Sequence, residues 1–389
     1  MVLVGEWLGF YGQERALESI NFPTLELLLG MMILVGLLQR TGFFEYLSIK
    51  VARRSGHNQF KLFLALCGLT AGASAILDNI TTMVLVAPMT LAIADVLDIS
   101  PVPYLIGEAM MSMMGGMATL VGDPPNIIIG SAAGISFNSF LIHLGPISVF
   151  TWVASAVLFW FIFGFSPVSD QKVQELRNMA PEKALDEPDT VLKLIWILIA
   201  VVLLYITHSY LGIEPGLVAL LGATIALVFL QPDIQETLQN IEWDVIAFLA
   251  GLFVVIGGLE SVGLLSTVAE YLQVAFETHP TLAPIGLLWV AGILSAVVDN
   301  IPFTIAMVPI VLQIQGVPGP GLLWWALAMG AALGGAGSPI GSSANVVAIS
   351  MSERSDYPID YSGWVKIGIP VAFLNLSLAS LYLVVLSLL

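Results

Sequence analysis

Long apolar blocks, rather than alternation, organise this chain: Thr24–Gln39, Leu62–Leu97, Tyr104–Ala133, Pro146–Phe165, Val191–Tyr210, Gly216–Leu230, Trp243–Glu260, Leu282–Leu312, Leu322–Met351 and a last run from Trp364. A bilayer core takes about 20 apolar residues as a helix, so each block is read as a membrane helix or as two shorter ones. Tyr104–Ala133 carries its own interruption, GGMATLVGDPPN, from Gly115 to Asn126. Two adjacent glycines weaken the helix, and Pro124 and Pro125 remove two backbone donors in succession. The polar backbone so freed at membrane depth is tolerated only where protein buries it or a polar cavity meets it, so this stretch is a predicted binding site. Asp123 within it is an intramembrane acid, and such residues mark functional sites.

The interruption occurs twice. GGAGSPIGSSAN, Gly334 to Asn345, repeats it at an offset of 219 that lays Gly115, Gly116, Gly122 and Asn126 on Gly334, Gly335, Gly341 and Asn345. A second repeated stretch is SAILDNITT, Ser74 to Thr82, echoed by SAVVDNIPF, Ser295 to Phe303, with Asp78 on Asp299, Asn79 on Asn300 and Pro88 on Pro309. The arms flanking each aspartate-asparagine pair are short for a span, which predicts a re-entrant hairpin with the pair at its tip. Broken helices at matching places in two halves point to the substrate site of a secondary transporter.

The fold class expected is therefore an all-α polytopic membrane protein of two inverted-topology repeats, each with a re-entrant hairpin and a broken transmembrane helix. The first repeat is residues 1–165, with hairpin 62–97 and broken helix 104–133. A cytoplasmic linker, 166–190, follows. The second repeat is residues 191–389, with hairpin 282–312 and broken helix 322–351. An offset of 221 also matches Ile20, Gly30, Gly36 and Gly42 with Ile241, Gly251, Gly257 and Gly263, and lays Met1 on Gly222. Since the second half holds Val191–Tyr210 and Gly216–Leu230 before this point, the first repeat is expected to lack its opening helix and part of the next.

Composition agrees with the class: 58% of residues are hydrophobic, 10% are charged and mean hydropathy is +0.94, which describes an integral, multi-pass protein of the plasma (inner) membrane. The net charge of −16 comes from acidic loops and argues against nucleic acid as a partner. Cys67 is the only cysteine, and His57, His143, His208 and His279 are scattered, so neither a resident metal nor a cofactor is expected. Eleven of the twelve lysines and arginines lie at or beside 40–61, 172–193 and 354–366, and none lies between Leu194 and Glu353. Those three loops are read as cytoplasmic. With each aspartate-asparagine segment returning to its own side, all three fall inside, and the two hairpins open to opposite faces.

The candidate substrate- and ion-binding residues are Asp78, Asn79, Thr81, Thr119, Gly122, Asp123, Asn126, Asp299, Asn300, Ser338, Gly341 and Asn345. Opposed tips bring the acids near both breaks, where half-helix N-termini favour anions and unwound carbonyls favour cations. A carboxylate there carries a proton in competition with a cation or a substrate. Asp78 and Asp299 have a second role open to them, because aspartate is a favoured N-cap. Thr119 and Ser338 match as hydroxyls at the breaks, able to ligate or to bond back to the chain. Asp123 is unpaired in the repeat, its counterpart being Ser342, and Glu108 faces Leu327; Glu108 is read as a snorkelling or structural acid. Met110, Met111, Met113 and Met114 are read as adaptable packing.

LDNITT followed by GGMATLVGDPPNIIIGSAAG resembles the arsenite permease and P-protein branch of the ion transporter superfamily, which also holds sodium-coupled dicarboxylate carriers and sodium/proton antiporters. The resemblance runs from about Glu18 to the end of the chain. It implies inverted repeats with hairpins and broken helices, an elevator-type motion and a homodimer held by scaffold helices. It also implies asparagine with threonine or serine at the hairpin tips, the places of Asn79 with Thr81 and of Asn300. Two departures stand out: Pro302 and Phe303 replace the second tip's Thr81 and Thr82 equivalents, and aspartate leads a tip that in the dicarboxylate carriers begins with serine.

The expected function is a non-enzymatic secondary active transporter moving a small inorganic or organic anion or an oxyanion-like solute, coupled to H+ or Na+, with sodium/proton antiport as the alternative. A membrane aspartyl protease is disfavoured because Leu120 stands where LVGD needs a glycine. An ion channel would use the same breaks without coupling.

Overall fold

The computed structural model describes residues 2–185, 187–239, 241–279, 282–314 and 320–388. Met1 of the repeat alignment and Asp186, one of the linker acids, lie outside them. Two short helices, α1 (Val2–Leu8) and α2 (Gln13–Glu18), lead into α3 (Phe22–Gln39) and α4 (Phe43–Ser55). Then come α5 (Gln59–Ser74), α6 (Asn79–Leu97), α7 (Val102–Met117), α8 (Pro124–Ala133) and α9 (Phe137–Phe163). The linker forms α10 (Asp170–Asn178), and α11 (Pro188–Leu211) and α12 (Pro215–Leu230) open the second half. From there α13 (Ile234–Gln239), α14 (Trp243–Ser261), α15 (Leu264–Thr278), α16 (Ala283–Ser295), α17 (Asn300–Gln313), α18 (Pro320–Gly335), α19 (Ser343–Ser352) and α20 (Tyr361–Leu388) restate the order of α2 to α9. The protein is all-helical, with six described helices (α3, α6, α9, α11, α14 and α20) long and apolar enough to cross a membrane.

Helix α6, at 19 residues, is longer than the short arm expected, so length alone does not make α5–α6 a hairpin. Packing does. Tyr104 at the start of α7 lies by Gln59 at the start of α5, Gly107 faces Phe63 and Cys67, Gly115 rests on the Ala71 carbonyl, and Thr119 bonds Ala75. α5 and α7 therefore run parallel and adjacent, and α6 between them must return to the side where α5 began. The second repeat does the same, with Gly330 against Leu288, Gly334 against Gly292 and Ser338 on Ala296. A Cβ on Gly115 or on Gly334 would collide with a backbone carbonyl, the close approach that small residues permit between membrane helices.

The repeats interlock. α6 packs on α19 while α17 packs on α8, and α7 packs on both α18 and α19. The described face of α7 is buried along its length, including all four methionines of the run from Met110, and Met113 is seated against Gly335 of the second break. Outside this body, α3 packs on α12 through Gly30 and Ala219, and α12 on α11. α9 and α20 are joined by a buried pair, Asn375 to Ser155 at 3.0 Å.

The linker is more ordered than a solvated tether. Val173 and Leu176 of α10 are buried, as is Pro181 in the turn Pro181–Ala184; α10 packs on α6 and α4, and the Val168 N–H donates to the His57 carbonyl at 2.8 Å. The composition of 166–190 is polar, but its few apolar residues fall on one face and find a surface.

Candidate substrate and ion site

Each tip and each break is built from its own backbone needs first. Asp78 precedes α6 and caps it, accepting from the Thr81 N–H at 2.8 Å and from the Thr81 hydroxyl at 2.6 Å. Thr81 therefore spends its hydroxyl on Asp78. Asp299 caps α17 through the Ile301 N–H at 3.0 Å, and with Pro302 in the Thr81 place its other oxygen takes the hydroxyl of Ser343, at the start of α19, at 3.0 Å. The departure at the second tip thus ties hairpin and broken helix together. Ser343 was not singled out from the sequence, because its counterpart in the first repeat is Pro124.

Between the half-helices, Asn126 donates to the Gly116, Met117 and Thr119 carbonyls at 3.2, 3.3 and 2.8 Å. Asn345 donates to Gly335 and Ser338 at 2.9 and 2.8 Å. These amides satisfy carbonyls orphaned where α7 and α18 end. Thr119 donates to the Ala75 carbonyl at 2.6 Å and accepts from the Gly122 N–H at 3.1 Å. Ser338 copies it, donating to Ala296 and accepting from Ile340 and Gly341, each at 3.2 Å. Gly122 and Gly341 are glycine because the break lies on the hairpin: a Cβ on Gly122 would stand 2.6 Å from both the Gly116 and Ser74 oxygens, and one on Gly341 would meet Gly335 and Ser295.

Among the candidate residues, four buried polar atoms remain without a partner after this accounting: Asp123 Oδ2, the Oδ1 of Asn126 and of Asn345, and Asn300 Nδ2. Burying such a group unpaired costs about 1–3 kcal/mol, so they are the atoms free for ligands. Three are acceptors, matched to a proton or a cation; the Asn300 amide is a donor, matched to an oxygen of a solute. Asp123 is 1% exposed, and its other oxygen lies 3.5 Å from the Asn79 amide, at the outer limit of a hydrogen bond. Asp78 and Asp299 are both within Coulombic reach of it. The twelve predicted residues lie at two tips and two breaks and divide by what they do: Asp78, Asp299, Thr81, Thr119, Gly122, Ser338 and Gly341 build the frame, Asn79 reaches toward Asp123, and Asp123, Asn126, Asn300 and Asn345 present free atoms.

Two further acids take their character from the fold. Glu108 does not snorkel; it is 0% exposed, accepts from the Thr90 hydroxyl at 2.6 Å and keeps Oε2 unpartnered. Glu242, just before α14, was not singled out at all. Burial, with the Coulombic reach of the Asp78 and Asp244 carboxylates, pushes it up to about 7, and nothing in its sequence neighbourhood signals that Asp78 of the other half would act on it.

Broken helices facing hairpin tips across a pseudo-two-fold define a secondary membrane transporter, not an enzyme. The chain belongs to the citrate transporter family, which matches residues 1–330. It is 37% identical to the 46 kDa membrane protein of Mycobacterium leprae over 379 residues, 96% of this chain and 88% of that one. It is 28% identical to the Homo sapiens P protein over 454 residues, 95% of this chain and 54% of the longer protein. The crystal structure of the YdaH transporter of Alcanivorax borkumensis, described as having an unusual topology, has a TM-score of 0.62 over 95% of this chain and 86% of that one at 14% identity. With bacterial relatives of this kind, the chain is a multi-pass protein of the plasma membrane.

Proposed function

We propose that this protein carries a small anion or oxyanion-like solute in a proton-coupled cycle, with Asp123 as the coupling carboxyl. The observation that carries this reading is the unpartnered, enclosed Asp123 oxygen, with the Asp78 and Asp299 carboxylates in Coulombic reach and Ser342 in its place in the second repeat. Asn300 Nδ2 supports a solute oxygen as cargo, and membership of the citrate transporter family supports a carried carboxylate. The interlocked body of α5–α8 and α16–α19, resting against α3 through α8 and against α14 through α17, supports an elevator-type motion, the body sliding as a unit within a homodimer held by scaffold helices. A second reading, sodium/proton antiport, has a specific observation in its favour: Asn126 Oδ1 and Asn345 Oδ1 are matched, unused acceptors at the two breaks, suited to a hard cation.

The test is uptake into proteoliposomes under an imposed pH gradient, with citrate, succinate, arsenite, chloride and sodium as labelled cargo. D123N is expected to lose gradient-driven uptake while retaining exchange down a cargo gradient. Unchanged pH dependence in D123N overturns the coupling assignment, and sodium flux as the sole gradient-driven signal selects antiport.

A further inference from the structure

Lys50, Arg53 and Arg54 follow an i, i+3, i+4 spacing that puts three positive charges on one face of α4, opposite the face that buries Phe44, Ser48, Ile49, Ala52 and Ser55. Like charges at this spacing repel and weaken their own helix. Arg177, from the last turn of α10, faces the same cleft, a cavity of about 390 Å³ closed by Pro181 and Glu182. The helix dipole accounts for a basic residue at the end of α4 and another at the end of α10. It does not account for two such ends and Lys50 meeting in one place.

Acids outnumber basic residues 28 to 12 in this chain, so a cation with a structural role has no shortage of partners. Yet among the described residues the ion pairs are Arg40–Glu236, His57–Asp170 and Lys172–Glu175, and none involves the four cations of the cleft. Lys50 instead bonds the Tyr46 hydroxyl at 2.6 Å and lies 4.7 Å from the centre of that ring, which holds the ammonium in place without neutralising it. Four cations against one lining carboxylate, Glu182, make a preformed anion site. Its position is set by the fold: α4 joins α3 of the scaffold to the first hairpin and packs on both α5 and α6, and the linker lies across it, with Gly42 against Ala184. The cleft is lined from the last turns of α4 and α10, within the stretches 40–61 and 172–193 that carry most of the chain's basic residues.

We propose that this cleft binds the phosphodiester headgroup of an anionic phospholipid from the cytoplasmic leaflet, pinning α4 and the linker to the membrane surface. Arginine supplies forked donors for phosphate oxygens and lysine a point charge, and basic pockets on the cytoplasmic side of membrane helices select such headgroups. Free inorganic phosphate offers the same oxygens without the acyl chains that would hold the headgroup at this depth.

Native mass spectrometry of the purified full chain with phosphatidylglycerol or phosphatidylcholine tests the site. Phosphatidylglycerol is expected to remain bound preferentially, and R53Q/R54Q/R177Q is expected to weaken its retention on the order of a hundredfold, at about fivefold per cation, while melting in phosphatidylcholine like the unmodified protein. K61Q/K172Q, removing two cations elsewhere on the same face, is expected to leave retention unchanged; an equal loss there means diffuse surface charge and overturns the site. Stabilisation by millimolar phosphate equal to that by phosphatidylglycerol overturns the lipid assignment. Should the triple variant fail to fold, hydrogen exchange of the unmodified protein decides: added protection at 50–54 and 177–182 in phosphatidylglycerol nanodiscs supports the proposal, and the same protection in both lipids sinks it.

Discussion

The two breaks share their carpentry and differ in their chemistry. At both, an asparagine amide ties the end of one half-helix, a hydroxyl from Thr119 or Ser338 ties the break to its hairpin, and a glycine lets the two lie in contact. Only the first has an acid, Asp123, where the second has Ser342, whose hydroxyl caps its own helix at Ala344 N. Symmetry therefore separates what the repeat needs in order to fold from what one half has added. The tips show the reverse: the same aspartate caps both, but Asp78 turns to Thr81 in its own helix and Asp299 to Ser343 in the broken one.

The sharpest way to break this comparison is to alter the two breaks in parallel. D123N is expected to lower pH-gradient-driven uptake on the order of a hundredfold, ~2.7 kcal/mol, with S342A nearly silent; equal losses in the same vesicle assay would remove the distinction. Next in size are the shared glycines. G115A and G334A each force a Cβ into a backbone carbonyl, at about 2 kcal/mol by the usual penalty for overpacking, and thermal unfolding in detergent should show both losses, since a one-sided effect contradicts the matched packing.

A smaller effect comes from the caps. D78A and D299A should each destabilise by ~1 kcal/mol, while D78N and D299N, asparagine being as good a cap, should melt as the parent does. If D78N nonetheless loses gradient-driven uptake, Asp78 titrates in the cycle as well as capping. The last effect is one of pH dependence and belongs to Glu242. Its carboxyl is raised from 4.5 to about 7 in the fold, so the folded state holds a proton that the unfolded chain has released. Stability attributable to it therefore falls as pH rises from about 4.5 to about 7, and E242Q should flatten that part of the melting-temperature profile without changing it below pH 4.

Much of this was legible without coordinates. Apolar runs mark helices wherever they are exposed to lipid, and the 219- and 221-residue registers of Gly115, Asp78 and their echoes exposed the duplication, because glycine and proline at a break answer to backbone sterics that any copy must repeat. Which of its two readings Glu108 takes, and how the linker packs, were not legible, because each depends on what packs against it. An acid near a helix end snorkels only if that end is open, and α6 closes it with Thr90.

The sequence by itself determined the apolar membrane helices and the two breaks, though not α4, which lies in what reads as a basic loop, nor α15, since what it determined follows from local rules: a proline without an N–H, a glycine without a Cβ, an aspartate ahead of a helix. Only the tertiary structure decided which of the candidate residues are spent and which are free. Thr81 and Ser338 used their hydroxyls on neighbours, Asn126 kept its Oδ1 and Asp123 its Oδ2. Partnering is a matter of distances across segments far apart in the chain, as when the Ser343 hydroxyl reaches Asp299, and no spacing along one segment encodes it.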